Sequence, residues 1–140
     1  MGAEKSEFGH RKMIVWQNLD KAEFFIRQRV LPSIPKYKYS MIDQIDRSCS
    51  SSVANFIEGY YSGAIKEYLR FLSYSKRSMA ELQDWVRRSH YDRFITAELF
   101  QEFDDLAIRT IYLLNRLISS LKQKVENDKI KKGYKGQGRP

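Results

Sequence analysis

The chain has few of the residues that cross-link or interrupt a fold, and it has no long apolar run. It contains one cysteine among its 140 residues, which excludes an internal disulfide and fits a reducing compartment. Its longest unbroken apolar runs have four residues. A transmembrane helix needs about 20, and the core of a signal peptide needs about 7–15. We therefore expect a cytoplasmic protein.

Glycine and proline are scarce in the middle of the chain. Between residues 13 and 121, only four positions carry them, and they form two breaks: Pro32, Pro35, Gly59 and Gly63. Strand-rich folds need turn residues far more often than this. The composition is therefore typical of an all-helical protein.

Apolar periodicity predicts four helices, over about residues 13–30, 40–58, 63–88 and 96–124. Short connections between them predict an all-α, antiparallel up-down-up-down four-helix bundle. The third helix carries a heptad seam, which favours left-handed bundle packing: Ile65, Tyr68, Leu72, Ser75, Met79, Leu82 and Val86. We expect a flexible N-terminal tail over residues 1–12 and a basic, disordered C-terminal tail over residues 125–140.

Several positions predict how the helices begin, end and pack. Gly59 is a candidate C-cap for the second helix, and Ser62 and Thr96 are candidate N-caps for the third and fourth. The small residues 48–52 would let a neighbouring backbone approach closely. Four more residues lie beside the seam of the third helix: Phe71, Tyr74, Ser78 and Trp85. Together with the seam they cover an arc of roughly 160° around the helix, more than the ~100° of one core face. The helix is therefore either deeply embedded or in contact with another subunit.

The net charge of +8 is unevenly distributed. Residues 122–140 carry +5 and residues 1–12 carry +1, which leaves a nearly balanced body. A basic segment of this kind predicts a polyanion partner, and we expect nucleic acid, bound through phosphates without sequence readout. The candidate contacts lie on the third helix and in the C-terminal segment: Lys66, Arg70, Arg77, Arg88, Lys122, Lys124, Lys129, Lys131, Lys132, Lys135 and Arg139.

Several motifs resemble the bacterial four-helix-bundle family named after proteins encoded in intervening sequences of 23S ribosomal RNA genes. They are Arg47, Asn55-Phe56-Ile57-Glu58-Gly59, Glu67-Tyr68-Leu69-Arg70-Phe71-Leu72 and Ser78-Met79-Ala80-Glu81-Leu82. Phe56-Ile57 replaces the family's Ile-Ala, and Lys76-Arg77 replaces its Arg-Gly. The similarity covers about residues 13–122. It implies a homopentameric barrel and kinship with the accessory variability-determinant protein of diversity-generating retroelements, which binds nucleic acid and assists a reverse transcriptase. The family has no established enzymatic activity.

Five polar residues on the second and third helices could act together: Arg47, Asn55, Glu58, Ser78 and Glu81. One interpretation is a ligand site with two carboxylates for acid/base chemistry. The other, which we favour, is a structural polar network, because buried polar groups need hydrogen-bond partners. No cofactor or metal is expected, since the single Glu-x-x-His string lies in the N-terminal tail and His90 lies in a predicted loop. Cys49 is predicted to be a small core residue.

These features predict a non-enzymatic accessory or scaffold protein that binds RNA or a DNA/RNA hybrid. Its expected partners are further copies of itself, nucleic acid and a protein such as a reverse transcriptase. Two other interpretations remain. The chain could be an oligomeric protein-interaction module without a nucleic-acid role, or an enzyme whose pocket joins Glu58, Glu81 and Arg47.

Overall fold

The computed structural model describes the backbone of residues 9–137 and the side chains of residues 9–133. It contains four long helices, which we label α1 (Ile14–Phe25), α2 (Tyr39–Tyr60), α3 (Ile65–Tyr91) and α4 (Ala97–Gln137). No strand occurs between residues 9 and 137. The prediction of an all-α fold with four helices is confirmed. Within residues 9–137, none of these helices contains an apolar stretch long enough to cross a membrane.

The helical segment that begins with α1 changes its winding after Phe25. After Phe25 the chain forms a π-helical turn (Ile26–Val30) and then a 3-10 turn (Leu31–Ser33). Ile34 is extended, because Pro35 disfavours helical geometry in the residue before it. The prolines therefore end this helical segment where the sequence predicts.

Each helix packs mainly against two neighbours, so that α1 lies across the bundle from α3. The α1–α4 contact includes Phe25 and Phe103, whose ring centres are 6.0 Å apart. The α3–α4 contact includes a hydrogen bond from Lys76 Nζ to Asn115 Oδ1 (2.9 Å). Between them lies a core whose largest fully buried side chains include Leu19, Ile26, Ile45, Phe56, Leu72, Met79, Leu82, Phe103 and Leu114. Burying each such side chain stabilises the fold by about 1.5–3 kcal/mol.

Small residues bring α2 and α3 close together, as the run at 48–52 predicts. Ser75 Oγ donates to the Ser52 carbonyl oxygen (2.6 Å), and the hydroxyl oxygens of Ser51 and Ser78 lie 2.9 Å apart. Residue numbers therefore rise along α2 in the direction in which they fall along α3. The heptad seam of α3 faces this contact and the core, and its residues from Leu72 to Val86 are buried.

Two of the three predicted caps are wrong. Gly59 does not end α2, which continues to Tyr60. The glycine is instead needed for packing, since a Cβ there would lie 2.9 Å from Phe71 Cβ. Ser62 does not cap α3, because its hydroxyl turns back to donate to the Gly59 carbonyl oxygen (2.7 Å). Gly63 also precedes the helix, with φ at +79°. The Thr96 cap is confirmed, since Leu99 N donates to Thr96 Oγ1 (3.1 Å).

The fourth helix is longer than predicted. The sequence places its end near residue 124 and disorder from residue 125, whereas the structure continues the helix to Gln137. Lys, Glu and Gln form helices readily, and no proline or glycine interrupts them before Gly133. Leu121 is the last side chain that packs against the core. We call residues 122–137 the C-terminal extension; as a helix it is about 24 Å long.

The N-terminal segment also differs from its prediction. Residues 1–12 are predicted to be flexible, yet His10–Lys12 form a 3-10 turn that lies against the α2–α3 connection. His10 Nδ1 is 3.0 Å from the Tyr61 hydroxyl, and its ring packs edge-on to Trp16 at 5.2 Å. These aromatic contacts hold the turn. The rest of the predicted tail, residues 1–8, lies outside the described residues.

Candidate nucleic-acid interface

The C-terminal extension carries five exposed lysines on several sides of its helix. They are Lys122, Lys124, Lys129, Lys131 and Lys132. Within residues 9–133, none of them forms an ion pair with a carboxylate. Lys135 lies on the helical backbone, but its side chain and the whole of Arg139 fall outside the described residues. The described part of the extension therefore carries five lysines without a close ion pair and two acids, Glu126 and Asp128, which leaves it with a net positive charge.

Other basic residues lie at the same end of the bundle. Lys76 contacts Asn115 and Gln83 contacts Asp104, so residue numbers rise along α3 in the direction in which they fall along α4. Lys66 therefore lies about level with Val125, where the extension leaves the core. The 3-10 turn of His10–Lys12 reaches this end through Tyr61. It adds the exposed Arg11, which sequence reasoning missed. The excess of one positive charge over residues 1–12 was the only signal for it.

The arginines of α3 differ from these lysines, because acids and aromatic rings hold two of them. Arg70 pairs with Glu67 (2.6 Å) and lies over the Phe71 ring at 5.0 Å. The hydrogen bond to Glu67 is the main reason why the pKa of Arg70 is raised. Arg88 pairs with Asp84 (2.9 Å) and lies over the Trp85 ring at 4.8 Å.

Asp84 also binds Arg87, so two arginines share one carboxylate. The hydrogen bond from Arg87, followed by the charge of Arg88, lowers the pKa of Asp84. Arg77 lies 5.6 Å from the Tyr74 ring centre and has no ion pair among the described residues. The face predicted to bind phosphates is therefore a mixed row of arginines, acids and aromatic rings.

Only part of the predicted polar network is brought together. Asn55 Nδ2 donates to the Ser51 carbonyl oxygen (2.8 Å) and to Ser51 Oγ (2.9 Å), which in turn contacts Ser78 Oγ. Ser51 is thus the link between Asn55 and Ser78, and sequence reasoning missed it. Its position four residues before Asn55, on the same face of α2, was an available signal.

The three charged members lie apart from that chain. Arg47 pairs with Asp43 (3.0 Å) on its own helix. Glu58 and Glu81 are exposed, and neither forms an ion pair within the part of the chain that the structure describes. The groove beside Glu81 includes Trp85 and Arg88 in its lining, but neither Arg47 nor Glu58 lines it. The five residues do not form one network, because these charged side chains lie on the solvent side of the helices.

The remaining reactive side chains have structural surroundings. Cys49 is buried in the core, and that burial is the main reason why its pKa is raised to about 12. His90 stacks on Phe100 at 5.2 Å between ring centres. Between residues 9 and 133, no three His, Cys, Asp or Glu side chains are grouped as a metal site would require.

Residues 11–116 match the family described as 23S rRNA-intervening sequence protein. The chain belongs to this family. The region that matches the 23S rRNA-intervening sequence protein family covers α1, α2, α3 and the first half of α4 of this chain. It ends before the C-terminal extension. The chain matches none of the curated proteins compared with it.

Proposed function

We propose that the protein is a non-enzymatic accessory protein that binds RNA or a DNA/RNA hybrid without sequence readout. One observation carries the proposal: a helix that continues beyond the core carries five exposed lysines with no acid paired to them. Such lysines can release counterions from a nucleic-acid backbone without first breaking ion pairs of their own. Arg70 and Arg88 of α3 would have to exchange existing carboxylate partners for phosphates.

Four of the lysines form two pairs along the helix axis, on roughly opposite sides of the helix, so that each pair suits a different stretch of phosphate backbone. Lys122 and Lys129 are separated by two helical turns, as are Lys124 and Lys131, which corresponds to about 10.5 Å. Lys66 and Arg11 extend this positive region to the end of the bundle. The family description refers to 23S rRNA, which is loosely consistent with an RNA-associated role.

The assembly and the cellular role are finer parts of the proposal. An antiparallel up-down-up-down bundle is supported by the opposite order of the α2–α3 contacts. A homopentameric barrel would repeat the basic end around a ring and strengthen its field. Light scattering tests this assembly, and a mass of 16.6 kDa in solution would contradict it. As a nucleic-acid-binding scaffold, the protein would assist a reverse transcriptase of a diversity-generating retroelement. A gene for such an enzyme beside a variable repeat would be the expected genomic neighbour.

Fluorescence anisotropy against labelled single-stranded RNA, repeated over a range of salt concentrations, tests the binding. A chain ending at Leu121 should keep its helical bundle and lose affinity. If all five lysines contact phosphates, the slope of log K against log salt should fall by up to ~3.5 per site. A full-length variant with glutamine at these five positions is the matched test, since it keeps the helix. No RNA binding at low salt, or an unchanged slope in both variants, would contradict the proposal.

A second candidate is a protein-interaction module whose charge is incidental. The half-buried aromatic side chains of α3 favour it, because they leave apolar surface open to a partner. The two candidates differ in their response to nuclease. A partner isolated with the protein should be lost after nuclease treatment if RNA bridges the complex, and retained if the contact is between proteins.

A further inference from the structure

The groove between α1 and α4 differs from other surface grooves of this protein in its charge. Its lining combines apolar side chains, among them Met13, Leu113 and Leu117, with the guanidinium groups of Arg109 and Arg116. Within residues 9–133, no carboxylate lines it, whereas four other grooves each include at least one Asp or Glu. Its volume is about 520 Å³. That size lies in the range of about 300–1,000 Å³ that is typical of ligand clefts.

Three exposed residues of α4 follow one another along this groove. Arg109, Tyr112 and Arg116 stand three and four residues apart, which places them on one face of the helix. The Tyr112 side chain is 55% exposed, and the Arg116 guanidinium lies over its ring at 5.9 Å. Neither arginine forms an ion pair within the described residues. Asp105, one turn before Arg109, accepts a hydrogen bond from Gln101 instead (2.9 Å).

The neighbouring parts of the chain add positive charge and no acid. Residues 106–125 of α4 contain neither Asp nor Glu but four basic residues: Arg109, Arg116, Lys122 and Lys124. Residues 13–19 of the chain, which begin α1 beside the groove, carry no charge, and Arg11 precedes them. The groove is therefore continuous with the basic end of the bundle and with the C-terminal extension.

A flat apolar ring attached to a chain of phosphates matches this arrangement. Bases stack on exposed aromatic side chains and on guanidinium groups, while cations follow the phosphate backbone. In a duplex the bases stack on one another, so only an unpaired base can reach Tyr112. An acidic peptide could also meet the two arginines. The cations, however, continue along α4 for about 22 Å from Arg109 to Lys124, and a regularly charged backbone follows such a run better than scattered side chains do.

We propose that this groove binds single-stranded RNA, with a base stacked on Tyr112 and phosphates bound by Arg109 and Arg116. The site rests on the nucleic-acid binding proposed above and adds contacts that charge counting did not select. The lysines of the extension hold the backbone whatever the state of its bases. Tyr112 makes unpaired bases necessary for full affinity, so the protein distinguishes unpaired from paired segments.

Tyr112→Ala tests the stacking. Fluorescence anisotropy measures the affinity for a labelled single-stranded RNA and for an abasic strand with the same number of phosphates. The variant should bind the RNA about 5- to 150-fold more weakly and should bind the abasic strand no more weakly than the unmodified protein does. Tyr112→Phe should recover most of the loss, because the ring remains. Tyr37→Ala is the matched control and should leave RNA affinity unchanged, since Tyr37 is 72% exposed between two lysines but lies outside the groove.

Replacing the two arginines tests the phosphate contacts. Arg109→Gln with Arg116→Gln should lower the slope of log K against log salt by up to ~1.4 for single-stranded RNA, and lysine at both positions should restore it. All the substituted side chains are exposed, so the fold should survive. Circular dichroism and analytical ultracentrifugation should give the helix content and the mass of the unmodified protein.

Several results would overturn the proposal. An equal loss of affinity for the RNA and for the abasic strand would show that Tyr112 does not stack on a base. A changed mass for Tyr112→Ala would assign this face to a contact between subunits. A peptide of alternating glutamate and leucine that displaces the label as effectively as unlabelled RNA of equal charge would assign the groove to an acidic protein partner.

The glutamine variant of the five extension lysines separates this site from the wider proposal. If that variant loses its salt slope while Tyr112→Ala keeps full RNA affinity, nucleic-acid binding stands and the stacking site fails. If the unmodified protein binds no RNA at low salt, both fail.

Discussion

Gly59 is where the packing of α2 on α3 can be tested most directly. Replacing it with alanine has two effects of opposite sign. Alanine has the higher helix propensity by about 1 kcal/mol in a helix interior, and less near a helix end such as this one. The added Cβ, however, would lie 2.9 Å from Phe71 Cβ and 3.3 Å from the Tyr68 carbonyl oxygen.

The steric effect should prevail. The two contacting atoms belong to, or adjoin, the backbone of α3, so they cannot move without shifting the whole helix. Overpacking of this kind costs about 1–3 kcal/mol. After the propensity gain is subtracted, we expect Gly59→Ala to lower the free energy of unfolding by about 1–2 kcal/mol.

Urea unfolding at fixed protein concentration measures this change. Gly133→Ala is the matched control, because a Cβ there meets nothing within 4 Å and the residue is helical. The control should raise helix content slightly and leave the unfolding midpoint of the bundle unchanged, since the extension does not pack on the core. A rise in the midpoint for Gly59→Ala would refute the close approach of the two helices.

Three further changes should have the following outcomes. Cys49→Ala should flatten the alkaline loss of stability: the pKa of Cys49 is raised from 9.0 to about 12, so the native protein keeps its full stability below pH 9 and loses about 2–3 kcal/mol more than the variant by pH 11, measured by urea unfolding at each pH. Tyr68→Phe should leave stability unchanged or raise it by up to ~1 kcal/mol, because the buried hydroxyl has no hydrogen-bond partner within residues 9–133; a large loss on thermal unfolding would argue against this. Thr96→Ala should cost about 1 kcal/mol through loss of the cap on α4, and Thr96→Ser should restore it.

The sequence predicted the helices well, because the signals that begin, continue and end a helix lie within a few residues of one another. The spacing of apolar residues, the prolines after α1 and the Thr96 cap all act within a few positions of the chain. One failure involves the wider structure: Gly59 resembles a helix terminus in sequence, but its missing Cβ is required by Phe71 on another helix. The other is local, since the extension lacks apolar periodicity, yet residues of high helix propensity form a helix without it.

The candidate sites show the same division. Charge counting identified the C-terminal lysines, since net charge is a property of composition. It could not reveal that Arg70 and Arg88 are already paired with acids, whereas the extension lysines are not. Likewise, the motif residues Arg47, Glu58 and Glu81 looked like members of one network, but helix rotation directs them to solvent.

The sequence by itself determined the helical class, the family and the concentration of positive charge near the C-terminus, because periodicity, motif order and composition are read along the chain. Only the tertiary structure decided which charges are free and where the aromatic residues of α3 lie. It also decided that Arg11, Lys66 and the extension lysines share one end of the bundle. Those facts depend on the rotation and register of packed helices, which are set by contacts between residues far apart in sequence.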